Sequence, residues 1–134
     1  MLTVTINRSL KDSVYEQVAS QIRKLVASGE LVPGTALPPV RQLATELGVN
    51  LNTVARAYRL LKAEGFLVIQ ERTGVSVAAP AKVIGPTERD KGLGELRTVL
   101  ARLRQAGMEP DELQQLIQRE LLAVIGTSQG ATNG

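Results

Sequence analysis

One segment, TALPPVRQLATELGVNLNTVARAYRLLKAEG from Thr35 to Gly65, limits the fold more than any other part of the chain. Val40, Leu43, Ala44 and Leu47 recur at helical spacing just after Pro38-Pro39. Proline is tolerated in the first turn of a helix, so the helix is expected to start there. Gly48 suits the left-handed position that ends it. Asn50 is a good N-cap for a further helix, in which Val54, Ala57, Tyr58 and Leu61 face inward and Gly65 is the stop. Val49 is placed to plug the gap between the two helices. Tyr58 reads as a core residue with its hydroxyl at the rim. Two short helices joined by so tight a turn make a helix-turn-helix arrangement.

The flanking sequence completes a small domain. Leu2, Val4 and Ile6 alternate with polar residues, as in a short strand or an extended arm. Ser13 and Glu16 have the spacing of a capping box. After them Val14, Val18, Ile22, Leu25 and Val26 form an apolar stripe, widened by Tyr15 and Ala19, until Gly29 stops the helix. Pro33-Gly34 reads as a turn. Beyond Gly65, the β-rich runs FLVIQ and VSVAA flank Glu71-Arg72-Thr73-Gly74, which predicts a hairpin over residues 66–79. Three helices followed by a hairpin is the plan of a winged helix-turn-helix.

Charge supports this placement. Residues 1–80 carry nine Lys and Arg against six Asp and Glu, whereas residues 81–134 carry seven of each. The whole excess of +3 therefore lies in the half with the helix-turn-helix pattern, as a nucleic-acid surface requires. The chain has no cysteine and no histidine, so thiolate metal sites, disulfides and the commonest general base are unavailable. No cofactor and no metal site is expected. The N-terminus lacks the apolar stretch of a signal peptide, and no run is long enough to span a membrane, so a cytoplasmic location is expected.

Pro80, Gly85 and Pro86 mark a linker. Beyond it, Leu93, Leu96, Leu100 and Leu103 form a narrow seam of the kind that pairs helices. Gly107 to Pro110 interrupt it, with Asp111 and Glu112 in the first turn of the next helix. Leu113, Leu116, Ile117, Leu121, Val124 and Ile125 continue the apolar stripe. Two such helices bury too little to stand alone. They pack either on the N-terminal domain or on a second copy, and a self-complementary two-fold pairing is the preferred expectation. The expected architecture is mainly α with a small β-hairpin. It comprises a winged helix-turn-helix DNA-binding domain at 1–80, a linker at 81–90, a helical dimerisation module at 91–125 and a flexible tail at 126–134.

In such a domain the N-terminal turns of the third helix, expected at about 51–64, enter the major groove. Asn50, Leu51, Asn52, Thr53 and Arg56 lie there. Asn can bond adenine, Arg can bond guanine, and Leu51 or the Thr methyl can meet a thymine methyl. Because Asn50 is the expected cap, Asn52 and Arg56 are the better base readers. Arg41, in the first turn of the preceding helix, can reach a phosphate. Arg59 and Lys62 either approach the backbone or are simply solvated. Arg72, Thr73 and Gly74 form the wing tip, expected at the minor groove or a phosphate.

These residues resemble a known family. The G-x-x-x-PG-x-x-LP stretch from Gly29, the R-x-LA pattern at Arg41, the GVN-x-NTV-x-RAY turn and helix, and the glycine-ended wing are similar to the N-terminal domain of GntR-family bacterial transcriptional regulators. The Asn-x-Asn-Thr-Val form and the short C-terminal part resemble the YtrA-type subfamily. The resemblance implies a small two-helix dimerisation module in place of a large effector-binding domain, relatives that often repress operons for ABC-type transporters, DNA contacts at Arg41, Asn52, Thr53 and Arg56, and the wing-tip glycine at Gly74. A homodimer with two-fold symmetry in turn predicts a palindromic double-stranded operator. Position 51 is Leu where many relatives have Arg or Pro, and the wing tip has one glycine where many have two. The competing expectation is a winged-helix protein-interaction module that binds no DNA. The residues do not specify an effector.

Overall fold

The computed structural model describes residues 2–126, so the expected tail falls outside the described residues from 127 onward. The chain divides into two compact units: the residues up to Pro80 form the first, together with the segment from Val124, and Ala81–Ala123 forms the second.

The first unit begins with an extended arm whose Val4 is buried. The arm pairs with side chains rather than with a strand. Thr5 donates its N–H to Gln21 Oε1 at 3.0 Å, and Gln21 Nε2 donates back to the Thr5 carbonyl at 2.6 Å. Asn7 and Gln17 repeat the exchange at 2.8 and 2.9 Å. Each glutamine amide thus supplies the donor and acceptor that a neighbouring strand would otherwise supply.

Helix α1 spans Val14–Ala27, and its Ser13–Glu16 capping box is fully formed. Helix α2 spans Val40–Leu47 and ends at Gly48, with φ 68° and ψ 36°. A side chain at that left-handed position would be strained, so the sharp turn into the next helix depends on glycine. The Val49 N–H caps the Ala44 carbonyl at 3.0 Å, while its side chain packs against the core. Helix α3 then runs Leu51–Ala63. It packs on both α1 and α2, and Val18, Ile22, Val54, Ala57, Tyr58 and Leu61 form the centre of the core.

Tyr58 is 1% exposed, and its hydroxyl donates to the Pro38 carbonyl at 2.7 Å. That bond ties α3 to the residue that leads into α2. Burial, reinforced by the Glu46 charge, pushes the Tyr58 phenol well above its ordinary value. The folded state therefore holds this proton more tightly than the unfolded chain does. The resulting stability is complete below about pH 10 and is lost as pH rises further. Denaturant titrations from pH 9 to 11 should show a steeper loss in the native protein than in Tyr58→Phe, which itself should cost about 0.5–1.5 kcal/mol at neutral pH. Parallel pH curves for the two proteins would refute this account.

Strands β1 (Leu67–Gln70) and β2 (Gly74–Val77) form the hairpin, and β1 packs on α3. A three-residue loop joins them and leads into Gly74 at φ 89°, the left-handed residue that such loops need. Residues 34–37, where the sequence predicts only a turn, add a third strip along β2. Gly34 donates to the Val77 carbonyl at 2.8 Å, Val77 to that of Thr35 at 2.9 Å, and Leu37 to that of Val75 at 2.9 Å. Four residues are too few to show an alternating pattern in sequence, and their partners lie about 40 positions away.

The second unit holds α4 (Pro86–Gln105) and α5 (Pro110–Ile125) up to Ala123. The expected linker at 81–90 is too long by the residues from Pro86 onward, which are helical. Gly85 serves as the extended N-cap and Pro86 occupies the first helical position, where no amide hydrogen is needed. Glu88 follows in the first turn, where a negative charge is favourable. The Gly-Pro pair that resembles a loop is the start of the helix.

Candidate nucleic-acid interface

The surface around the start of α3 is built by local capping chemistry. Asn50 Oδ1 accepts the Asn52 N–H at 2.7 Å. This satisfies a free amide of the first turn and fixes where the helix begins. It also engages one of the two acceptor sites of the Asn50 oxygen, so Asn50 keeps its NH₂ group and one lone pair for outside partners. Arg8 completes the turn from the other side, donating to the Gly48 carbonyl at 3.2 Å, at the C-terminus of α2.

Asn52 and Arg56 are exposed and Thr53 is half-buried. With Ser13, Val14 and Tyr15 they line one open cleft of about 390 Å³ between the first turns of α1 and α3. Leu51 stands beside it, 38% exposed. The Arg56 guanidinium carbon lies 3.8 Å from the centre of the Tyr15 ring, a stacked cation–π contact. Such contacts contribute about 0.5–1 kcal/mol at exposed sites. Further along α3, Arg59 and Lys62 are exposed.

The other expected residues lie on neighbouring elements. Arg41 is exposed in the first turn of α2. Arg72 is exposed in the wing loop beside Thr73, whose hydroxyl donates to Gln70 Oε1. Among the described residues the single side-chain ion pair is elsewhere on the domain. Arg23 meets Glu64 through Nη2 at 2.8 Å and Nε at 2.9 Å, and it lies 5.8 Å from the Phe66 ring centre. No carboxylate pairs with Arg41, Arg56, Arg59 or Arg72 among the described residues.

This order of helices, tight turn and wing has close relatives. The profile of the bacterial regulatory proteins of the gntR family matches residues 14–77, from the first residue of α1 to the last of β2. The HTH-type transcriptional repressor YtrA of Bacillus subtilis is 32% identical over 106 residues, 78% of this chain and 82% of that protein. The chain belongs to the GntR family. Within the family, relatives differ greatly in length. The pyridoxine biosynthesis regulator PdxR of Corynebacterium glutamicum is 37% identical over 90 residues, but those cover only 20% of its length against 67% of this chain.

Solved structures agree on the fold. A transcriptional antiterminator of Listeria monocytogenes EGD-e, 25% identical, superposes with a TM-score of 0.82 over 93% of this chain and 94% of its own. YtrA of Sulfolobus acidocaldarius, a GntR-family transcription factor, is 37% identical with a TM-score of 0.63 over 76% of this chain and 97% of its own. The AraR DNA-binding domain in complex with operator ORX1 is 26% identical with a TM-score of 0.51 over 57% of this chain and 96% of its own.

Sequence alone does not reveal two residues of this surface. Tyr15 reads there only as part of an apolar stripe, and Arg8 carries no signal of a role. Both act on partners about 40 residues away, on the far side of the helix-turn-helix, and no local pattern signals such a partner.

Proposed function

We propose that this chain is a transcriptional regulator, acting as a repressor, that binds a palindromic DNA operator as a homodimer in the cytoplasm. Helix α3 lies in the major groove and the wing meets the minor groove or backbone. The observation that carries this reading is the gathering of Asn52, Thr53 and Arg56 on one open cleft at the first turns of α3. An amide, a hydroxyl with its methyl, and an unpaired guanidinium are the groups that distinguish base edges in the major groove. Arg41, Arg59 and Arg72 flank them as phosphate contacts, which set register without reading sequence. The exposed face of α3 carries amide and basic groups, which favours DNA over a protein partner. In this reading the chain performs no catalysis.

Pairing of two copies is supported by the second unit. Helix α4 has no buried residue along its length, and α5 buries only Leu113. Of the expected seam, Leu93, Leu100 and Leu103 are half-buried, while Leu96, Leu116, Ile117, Leu121 and Val124 are exposed or nearly so. Val99 and Leu122 add to the uncovered apolar surface. Helices of this length without a covered face are marginal in water, so a second copy is the natural cover.

Selection of genomic fragments by the purified protein should return a two-fold symmetric sequence. On that sequence, replacing Asn52 and Arg56 together by Ala should cost about 1–3 kcal/mol for each base no longer read, with helix content unchanged. Unchanged affinity in the double variant would remove α3 from the reading surface.

A further inference from the structure

Among the described residues, two arginine–aromatic pairs differ in one chemical respect. Arg23 approaches Phe66 at 5.8 Å, but Glu64 occupies its Nε and Nη2 donors. Arg56 lies closer to its ring, at 3.8 Å from Tyr15, and among the described residues no carboxylate or carbonyl accepts from it. The first pair is complete within the protein. The second holds the flat face of a guanidinium and leaves its five N–H donors for an acceptor from outside.

We propose that Tyr15 is a specificity-determining positioning residue, which stacks on Arg56 and aims its donor edge at a guanine in the major groove. This inference rests on the DNA-binding reading above. Tyr15 is the second residue of α1, and the capping box at Ser13–Glu16 fixes that turn. Arg56 lies in the second turn of α3, whose start is fixed by Asn50. Helical side chains lean toward the N-terminus, so Arg56 lies back over the turn that carries Asn52 and Thr53. The ring thus connects two independently capped helix starts across the cleft they share. A guanidinium stacked on a ring keeps its fork-shaped edge free, and that edge matches the O6 and N7 acceptors of guanine. An unstacked arginine would lose more side-chain freedom on binding, so the stack pre-organises the contact. Tyr15 itself needs no contact with DNA for this role. Phenylalanine can take it over, because the ring face and not the hydroxyl does the holding.

The test uses the full chain and its selected operator, with each half-site guanine replaced in turn by adenine. Arg56→Ala should abolish discrimination at one base pair per half-site. Tyr15→Leu should lower discrimination at that same base pair by about tenfold, and Tyr15→Phe should keep it within about twofold. Tyr15→Leu should add nothing further in the Arg56→Ala background. Equal weakening on all sequences, or an undiminished Tyr15→Leu effect in that background, would mean that Tyr15 contacts the backbone itself, and would overturn the proposal. So would a uniform loss in Arg56→Ala with a shallower salt dependence, the mark of a phosphate contact. A DNA-free measurement separates the two levels. The Arg56 Nε–H resonance should be shifted upfield by the ring in the native protein and in Tyr15→Phe, but not in Tyr15→Leu. No shift in the native protein overturns the stack whatever the DNA results. A shifted resonance in a protein that selects no DNA overturns the regulator reading and, with it, the guanine role.

Discussion

A chain ended after Pro80 is expected to remain folded, to sediment as a monomer and to lose about 10²–10⁴ in operator affinity. The buried core lies almost entirely before that residue, running from Val4 to Val77. Folding of the fragment should therefore survive, with circular dichroism showing its three helices. In the homodimer reading, what disappears is the partner copy's DNA-binding domain held near the operator. When two modules are linked, the second binding step becomes intramolecular, and its gain vanishes with the link. Each half-site would then be bound independently and weakly. The truncation removes the exposed Leu96, Leu121 and Leu122, the apolar surface on which a second copy would pack. A fragment that still sediments as a dimer, or binds the operator as tightly as the full chain, would show that α4 and α5 do not join two copies.

Leu61→Ala should be among the most damaging single core changes, costing about 2–5 kcal/mol. Leu61 has no exposed surface and sits on the inward face of α3, the helix against which α1, α2 and β1 all pack. Removing it leaves a hole that three elements cannot close together without shifting the recognition helix. A domain of this size has roughly 5–15 kcal/mol of stability in all, so the loss is a large fraction of it. Hydrogen exchange of the α1 and α3 amides should accelerate by at least about thirtyfold, while the amides of α4 exchange unchanged. Protection unchanged throughout would mean that the core centre lies elsewhere.

Much of the fold is legible in the sequence because its punctuation is local. The Ser13–Glu16 box, Gly48 and Asn50 each act within a few residues of their own position, and the structure shows each in the role that its neighbours dictate. Tyr58 is legible for the same reason, as one position on a helical stripe. Pro86 is ambiguous because a Gly-Pro pair suits both a loop and a helix start, and only the following turn distinguishes them. The strip at residues 34–37 and the glutamine-held arm are hidden, since each is defined by partners distant in sequence. The candidate site divides in the same way. Asn52, Thr53 and Arg56 follow from their place at a helix start, whereas Tyr15 gains its meaning only when α1 and α3 are side by side.

The strip at residues 34–37 has a mechanical consequence. It is bonded to β2 on one side and runs directly into Pro38, which holds the Tyr58 hydroxyl, on the other. The wing and the reading helix are thus two jaws of one calliper, braced through the same few residues. A calliper of fixed gape does not adjust to the width of a groove. In the proposed DNA-bound form, a half-site that differs from that gape is expected to flex itself, so that the stiffness of bases the protein never touches enters what it selects.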